Sequence, residues 1–400
     1  MTRVAIVTAA TGKGHLMAAR ALAEVVRGRG GSPTILDFGA SHPLLGALVK
    51  LYNAVLRRPP RWMATFYWTV NVLCPERVFY RLASRWFVRE IGRHQPEVIL
   101  SVHPMANHGI VETLTRAGID LPLAVALTDF APPFWRGWAE PRAAAVTAPT
   151  AEAAAQLAAW GVPPERIHRA PIPCRPAFRR LGTQNARRAA LRDLGLEDGR
   201  LTVVLSAGTA CRRSALRAYM AMAAARNLAS RVQAVILTGE NPHLLNAARR
   251  VDPPFPAAVL PWRDDPEAVL AAADVLFSKP GGLTASEALA AGVPLLLDAC
   301  GGIIPQERGN ARYIVGRGAG WIVRNPNEVP GLLRAIPSTA WSALRDRARR
   351  VPGGDAATLL DVLEDALEGP GLSQVRAGEA APEVMVASAP GAKGKGGLSA

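Results

Sequence analysis

Cysteine is scarce: the 400-residue chain has four, Cys74, Cys174, Cys211 and Cys300, and no two stand in a Cys-x-x-Cys spacing. That scatter argues against a zinc site and fits a reducing compartment. No stretch reaches 18 uncharged apolar residues, so none reads as a membrane span. The apolar run behind Arg3 ends by Ala10, which suits a first strand rather than a signal peptide. No Asp-x-Asp occurs and no cluster of acids announces a metal, so no metal or other cofactor is expected. Lysine is nearly missing, five residues against 42 arginines, within a net charge of +15. What remains is ordinary globular usage, 49% hydrophobic and 20% charged, in a chain too long for one core.

Apolar runs alternate with helical patterns. Residues 4–8, 32–38, 98–102, 123–128 and 143–147 read as strands, and residues 16–29 as an amphipathic helix. Composition turns Arg-rich and helical at 179–196, and a second series of strands follows at 201–206, 234–238, 257–260, 275–277 and 295–298. This order predicts an α/β protein with parallel sheets, two Rossmann-like domains facing across a cleft. The expected divisions are 1–178, a linker at 179–200, a second domain at 201–340, and a helical segment at 341–368 packing back across the junction. A disordered tail of Gly, Ala, Pro and Ser is expected at 369–400.

The densest motif runs Ser278-Lys279-Pro280-Gly281-Gly282-Leu283-Thr284-Ala285-Ser286-Glu287, with Gln306-Glu307-Arg308-Gly309-Asn310 further on. An apolar strand, a two-glycine turn and a helix over 285–291 gather backbone N–H groups and the positive helix end at one point, which suits a diphosphate. Glu287, about one turn into that helix, suits a ribose diol. The plainer reading is a helix N-terminus capped by Thr284 or Ser286. On the N-terminal side, His15 follows the turn Thr11-Gly12-Lys13-Gly14, and Asp129 ends an apolar run before Pro132-Pro133. Either suits acid–base work on a hydroxyl, with Asp129 as the base or as the group that orients His15, and the helix dipole is expected to keep His15 neutral. A structural cap or a turn-forming Asp is the alternative for each; His103 and His108 read as structural.

These motifs, in this order over residues 4 to 325, resemble the donor and acceptor sites of glycosyltransferase family 28, and within it the monogalactosyldiacylglycerol synthases and processive diacylglycerol glucosyltransferases. Leu127-Thr128-Asp129-Phe130 with Trp135, and Pro171-Ile172-Pro173 with Phe178, extend the likeness. The resemblance implies a GT-B arrangement and places Gly12, Gly14, Gly208, Gly281, Gly282, Leu283, Thr284, Glu287, Gln306, Glu307 and Asn310 around the substrates. Gln306 and Glu307 are implied near the sugar hydroxyls and Asn310 near the diphosphate. Three departures stand out: Lys13 replaces a glycine of the N-terminal turn, where it would add a cation beside an anionic ligand, the turn at 207–211 is poorer in glycine, and Ala170-Pro171-Ile172 stands where a glycine-isoleucine is usual.

Residues 43–94 carry nine Lys/Arg against two acids and nine of the 23 aromatics. Residues 62–75 are uncharged and hold Trp62, Phe66, Tyr67 and Trp68; Arg77, Arg81, Arg85, Arg89 and Arg93 then recur every four residues, with Val78, Phe79, Leu82, Trp86 and Ile91 among them. This predicts a dock on an anionic membrane surface at its cytoplasmic face, against the plainer reading of a core-packing helix with a solvated basic side. No nucleic-acid motif accompanies the charge. The expected function is therefore peripheral, metal-independent transfer of a hexose from a UDP-sugar to a diacylglycerol-type lipid. The alternatives are N-acetylglucosaminyl transfer to a polyprenyl-linked precursor, a UDP-sugar epimerase on the same fold, and a degenerate binding module.

Overall fold

A computed structural model describes residues 1–368 except 59, 74, 75, 182, 209–211 and 338, and leaves the side chains of 61 and 70–79 undescribed. The expected disordered tail, Cys74, Cys211 and the side chains of Arg77, Val78 and Phe79 lie outside the described residues.

Twelve strands form two wholly parallel six-stranded sheets. The first holds β1 (Arg3–Thr8), β2 (Ser32–Asp37), β3 (Val98–Ser101), β4 (Leu123–Ala126), β5 (Ala145–Ala148) and β6 (Ile167–Arg169), in the order 2-1-3-4-5-6. The second holds β7 (Leu201–Ser206), β8 (Val232–Leu237), β9 (Ala257–Leu260), β10 (Val275–Ser278), β11 (Leu295–Asp298) and β12 (Gly320–Val323), in the order 9-8-7-10-11-12. Central strands such as β3, β4, β10 and β11 are buried along their whole length, as parallel strands covered by helices on both faces must be. The two orders are the doubly wound ones, with switch points between β1 and β3 and between β7 and β10; loops at the carboxyl ends there diverge and leave a crevice. The expected pair of Rossmann-like domains is thus borne out.

The strands absent from the sequence reading are β6 and β12, the edge strands at one side of each sheet. Ile167-His168-Arg169 is three residues long with partly exposed side chains, and Gly320–Val323 is half-buried, so neither shows an uninterrupted apolar run. Helices also start earlier than their apolar pattern: Gly14–Gly28 rather than 16–29, and Gly282–Ala290 rather than 285–291. Residues 341–368 form two helices, Ala340–Arg350 and Ala356–Glu368. The corner between them is wedged at the junction: Gly354 N–H donates to Ser286 O at 3.0 Å and Asp355 N–H to Ile172 O at 2.9 Å. The last helix then lies on the first domain, where Arg29 pairs with Asp361 and Glu364.

The domains meet backbone to backbone. A Cβ built on Gly282 would collide with the Thr128 carbonyl oxygen, and one on Gly309 with the Ala131 carbonyl oxygen. Asn310, fully buried, crosses the same seam: its Oδ1 accepts from Phe130 N–H at 2.7 Å, and its Nδ2 donates to Asp129 Oδ1 and Pro280 O, each at 3.1 Å. Overpacking of this kind costs about 1–3 kcal/mol when the backbone must shift. Gly309→Ala is therefore expected to lower the denaturant midpoint and enlarge the radius of gyration in small-angle scattering; an unchanged radius and midpoint would show the seam to be slack.

Candidate active site

One cavity of about 940 Å³ opens between the domains, at the carboxyl ends of both sheets. Gly12, Gly14, His15, Asp129, Gly208, Gly281, Gly282, Leu283, Thr284, Glu287, Gln306 and Glu307 all line it. Asn310 does not. Both donors and the acceptor of its amide are consumed by the seam, so the position near the diphosphate implied by the resemblance is not the one the structure gives it. Gly282 likewise faces the other domain, and its missing side chain serves that approach.

Two helix N-termini point into the second domain's wall of the cavity. The Gly282–Ala290 helix follows β10, and the Arg213–Ala224 helix follows β7 and the Gly208 turn, where φ is +62°. Neither N-cap residue, Arg212 or Gly281, caps with its side chain, and Ser286 Oγ donates backward to Leu283 O; the plainer reading of a capped helix start fails here. Uncapped N–H groups at both switch-point helices form an anion cradle. Arg213, Arg217 and Arg324 line the same wall, and no acid pairs with them among the described residues. Arg212 is instead held by Asp298 at 2.9 Å and donates to Cys300 O at 2.7 Å. Lys279 pairs with Glu307. Burial pushes the Glu287 carboxyl up to about 8, against the pull of Arg175, so a ligand that donates to it finds it largely protonated at neutral pH.

His15 stands opposite, on the first turn of the Gly14–Gly28 helix. Its Nδ1 is 2.8 Å from Val102 O; a carbonyl only accepts, so Nδ1 carries the proton and Nε2 keeps its lone pair. Burial lowers its pKa to about 4, the Val102 bond opposing and Lys279 adding, so the ring is neutral at physiological pH. Dehydration is the largest cause. His103, its ring 4.7 Å away and edge-on, is structural: Nδ1 accepts from Met105 N–H at 3.2 Å and Nε2 faces Thr11 Oγ1 at 2.7 Å. Asp129 is bound to Asn310, and among the described residues no hydrogen bond joins it to His15; the expectation that it orients His15 is corrected. Burial raises Asp129 to about 6, Asn310 opposing and Glu307 adding.

Lys13 has φ −103°, which any residue adopts, while Gly12 has φ +61° and needs to be glycine. The Lys13 charge is not free for a ligand: Nζ pairs with Glu240 at 2.5 Å and sits 3.8 Å from the Trp262 ring centroid, bridging the domains at the cavity rim. Tyr52, Trp262, Arg263 and Arg324 line the cavity without having been read from the sequence. The last three follow β9 and β12, and the rule that ligands sit beyond carboxyl ends was the one signal for them. Tyr52 carries no motif at all.

Two Rossmann-type domains facing across a cleft define the GT-B class of fold. The Acinetobacter baumannii MurG structure superposes with a TM-score of 0.57 at 15% identity over 91% of this chain and 99% of that one. The Neisseria meningitidis UDP-GlcNAc 2-epimerase bound to UDP-GlcNAc gives 0.57 at 11%, over 92% and 100%. More particularly, the model of the Monogalactosyldiacylglycerol (MGDG) synthase family matches residues 15–174. The chain is 26% identical over 342 residues to Arabidopsis thaliana monogalactosyldiacylglycerol synthase 1, chloroplastic, spanning 82% of itself but only 63% of that relative. It is 22% identical over 335 residues to the processive diacylglycerol beta-glucosyltransferase of Bacillus pumilus, covering 82% of this chain and 84% of that one. The resemblance read from the motifs is borne out.

The His15 environment is testable without any substrate. In a pH series of nitrogen-15 histidine NMR spectra, the His15 ring is expected to titrate near pH 4. A midpoint near the ordinary value of about 6.5 would mean a hydrated ring and a wrong geometry here.

Proposed function

We propose that this chain is an inverting glycosyltransferase that moves a hexose, galactose or glucose, from a UDP-sugar to diacylglycerol or a glycosyl-diacylglycerol. The observation that carries the reading is the pair of uncapped helix N-termini on one wall, facing Asp129 and the free Nε2 of His15 across the cleft. In this scheme the acceptor hydroxyl loses its proton to Asp129 as its oxygen bonds the anomeric carbon. The bond from that carbon to the β-phosphate oxygen breaks on the opposite face, and UDP leaves with the electron pair. Asp129, ionised above about pH 6, is the better matched receiver of the hydroxyl's one proton; the bare Nε2 of neutral His15 is the alternative receiver on the same wall. Helix N–H groups and the unpaired arginines meet the charge developing on UDP, so the scheme needs no metal. Glu287 suits the ribose diol, and the unpartnered Gln306 Oε1 with Glu307 suits the sugar hydroxyls. The names of the relatives support the lipid acceptor.

Incubation of the protein and membranes with radiolabelled UDP-galactose and UDP-glucose tests this. Label should enter the chloroform phase. An isomerised soluble nucleotide would support an epimerase, label on a polyprenyl diphosphate the peptidoglycan-type reaction, and no turnover a binding module. Asp129→Asn should lower kcat by about 10²–10⁴-fold and His15→Ala by at least about tenfold. The acid limb of kcat/KM should fall near pH 6. A limb near pH 4 would instead make His15 the base.

The same reading includes peripheral docking of the first domain on an anionic membrane, at its cytoplasmic face. No helix among the described residues is long and apolar enough to cross a membrane. Exposed apolar side chains collect in the region rich in bases and aromatics: Leu44 is 50% exposed, Leu48 37% and Leu51 52%, on one face of the Pro43–Leu56 helix, with Trp62 58% and Trp68 62% exposed on the next helix. The dock is narrower than the sequence suggested. Met63 and Tyr67 are buried, and on the Glu76–His94 helix Phe87 and Ile91 pack into the core while Arg81, Arg85, Arg89 and Arg93 are exposed. In flotation assays, anionic liposomes should bind the protein more than neutral ones, and Leu48→Ser with Leu51→Ser should reduce binding to both. Equal binding to the two compositions would remove the electrostatic part.

A further inference from the structure

The Pro43–Leu56 helix belongs to neither sheet and carries none of the motifs, yet of two adjacent side chains on it one lines the cleft and the other holds the Gly12 turn. Asn53 straddles the glycine turn: its Oδ1 accepts from Gly12 N–H at 2.7 Å and its Nδ2 donates to Ala10 O at 2.8 Å. Gly12 sits in the left-handed region, so these two bonds fix the sharpest point of the loop that leads into His15. Tyr52 lines the cavity, its ring edge-on to Phe66 at 5.7 Å between centroids, and Gln306 lines the same cavity. Gln306 Oε1 has no partner among the described residues. It is a carbonyl oxygen at the cavity wall, on a residue only 6% exposed, with its accepting capacity unused. Buried acceptors are normally satisfied, and an orphan at a polar cavity wall points to a donor brought by a ligand.

Resting on the hexosyltransferase reading of the cleft, we infer that Asn53 and Tyr52 are positioning residues on its two sides. Asn53 sets the turn that presents His15, and Tyr52 sets the Gln306 amide so that its carbonyl oxygen receives a hydroxyl of the transferred sugar. The two therefore fail differently. Loss of the Tyr52 hydroxyl frees the Gln306 amide to rotate and weakens recognition of the sugar while leaving the nucleotide alone. Loss of the Asn53 amide loosens the turn and lowers turnover at unchanged donor affinity. The outer face of the same helix bears Leu44, Leu48 and Leu51, so one helix spans from the proposed membrane face to both halves of the site.

The test uses the full chain with Tyr52→Phe and Asn53→Ala, calorimetric titration with UDP and with each UDP-hexose, and steady-state kinetics on diacylglycerol micelles. Tyr52→Phe is expected to weaken UDP-hexose binding about tenfold with UDP within about twofold. Asn53→Ala is expected to lower kcat at least about tenfold with donor affinity within about twofold, and Asn53→Asp, which keeps the acceptor for Gly12 N–H, to recover part of it. Native UDP-hexose affinity in Tyr52→Phe, or an equal loss for UDP, overturns the Tyr52 assignment; native kcat in Asn53→Ala overturns the other. Should Asn53→Ala not fold, Asn53→Asp and Asn53→Ser carry that arm by the same criterion. If the wild type turns over no lipid, the functional reading fails but this one is still decided. The UDP-hexose titrations read Tyr52, and a rise of the His15 titration midpoint in the Asn53 variants, or its absence, reads Asn53.

Discussion

The cleft exists because two backbones touch. Thr128 O against Gly282 and Ala131 O against Gly309 leave no room for a methyl group, and Asn310 ties Asp129 and Phe130 on one side to Pro280 on the other. This seam puts the carboxyl ends of both sheets on a common cavity, and with them His15 and Asp129 of one domain and two uncapped helix N-termini of the other. Arg20–Asp264, at 3.8 Å and well exposed on both sides, belongs to the class worth roughly 0–1 kcal/mol.

Closeness of the walls also sets the electrostatics. Excluding water raises Asp129 and Glu287 and lowers His15, each toward its neutral form. Two of the charges there are held by a partner, Lys279 by Glu307 and Arg212 by Asp298, while Arg213, Arg217 and Arg324 have no acid paired with them among the described residues. Under the proposed reading the site is dry, poor in net charge on the acceptor side and rich in unpaired N–H groups and arginines on the donor side, which is where a diphosphate would leave.

Legibility from sequence followed the length and purity of the apolar runs. The strands beneath the site were visible because both faces of each are covered, so nearly every side chain is apolar. The edge strands β6 and β12 were not, since half of each meets solvent. Glycine turns at strand ends were visible as candidate ligand sites, and twelve of the thirteen residues expected around the substrates do line one cavity. Asn310 was misplaced because an amide that bonds phosphate and one that bonds backbone look identical in one dimension. Asn53 was missed because it lies about 40 residues from the turn it holds, and Tyr52 because it carries no motif, both inside a helix whose pattern announces only amphipathicity.

By itself the sequence determined the class: alternating apolar runs of strand length and helical stretches admit parallel sheets, and glycine turns at their ends admit anion sites, both being consequences of local geometry. Which glycine lines the cavity and which faces the other domain, and whether Lys13 reaches a substrate or Glu240, were decided only when the two sheets came together. Those choices depend on contacts between residues more than a hundred positions apart, and on the water that such contacts expel.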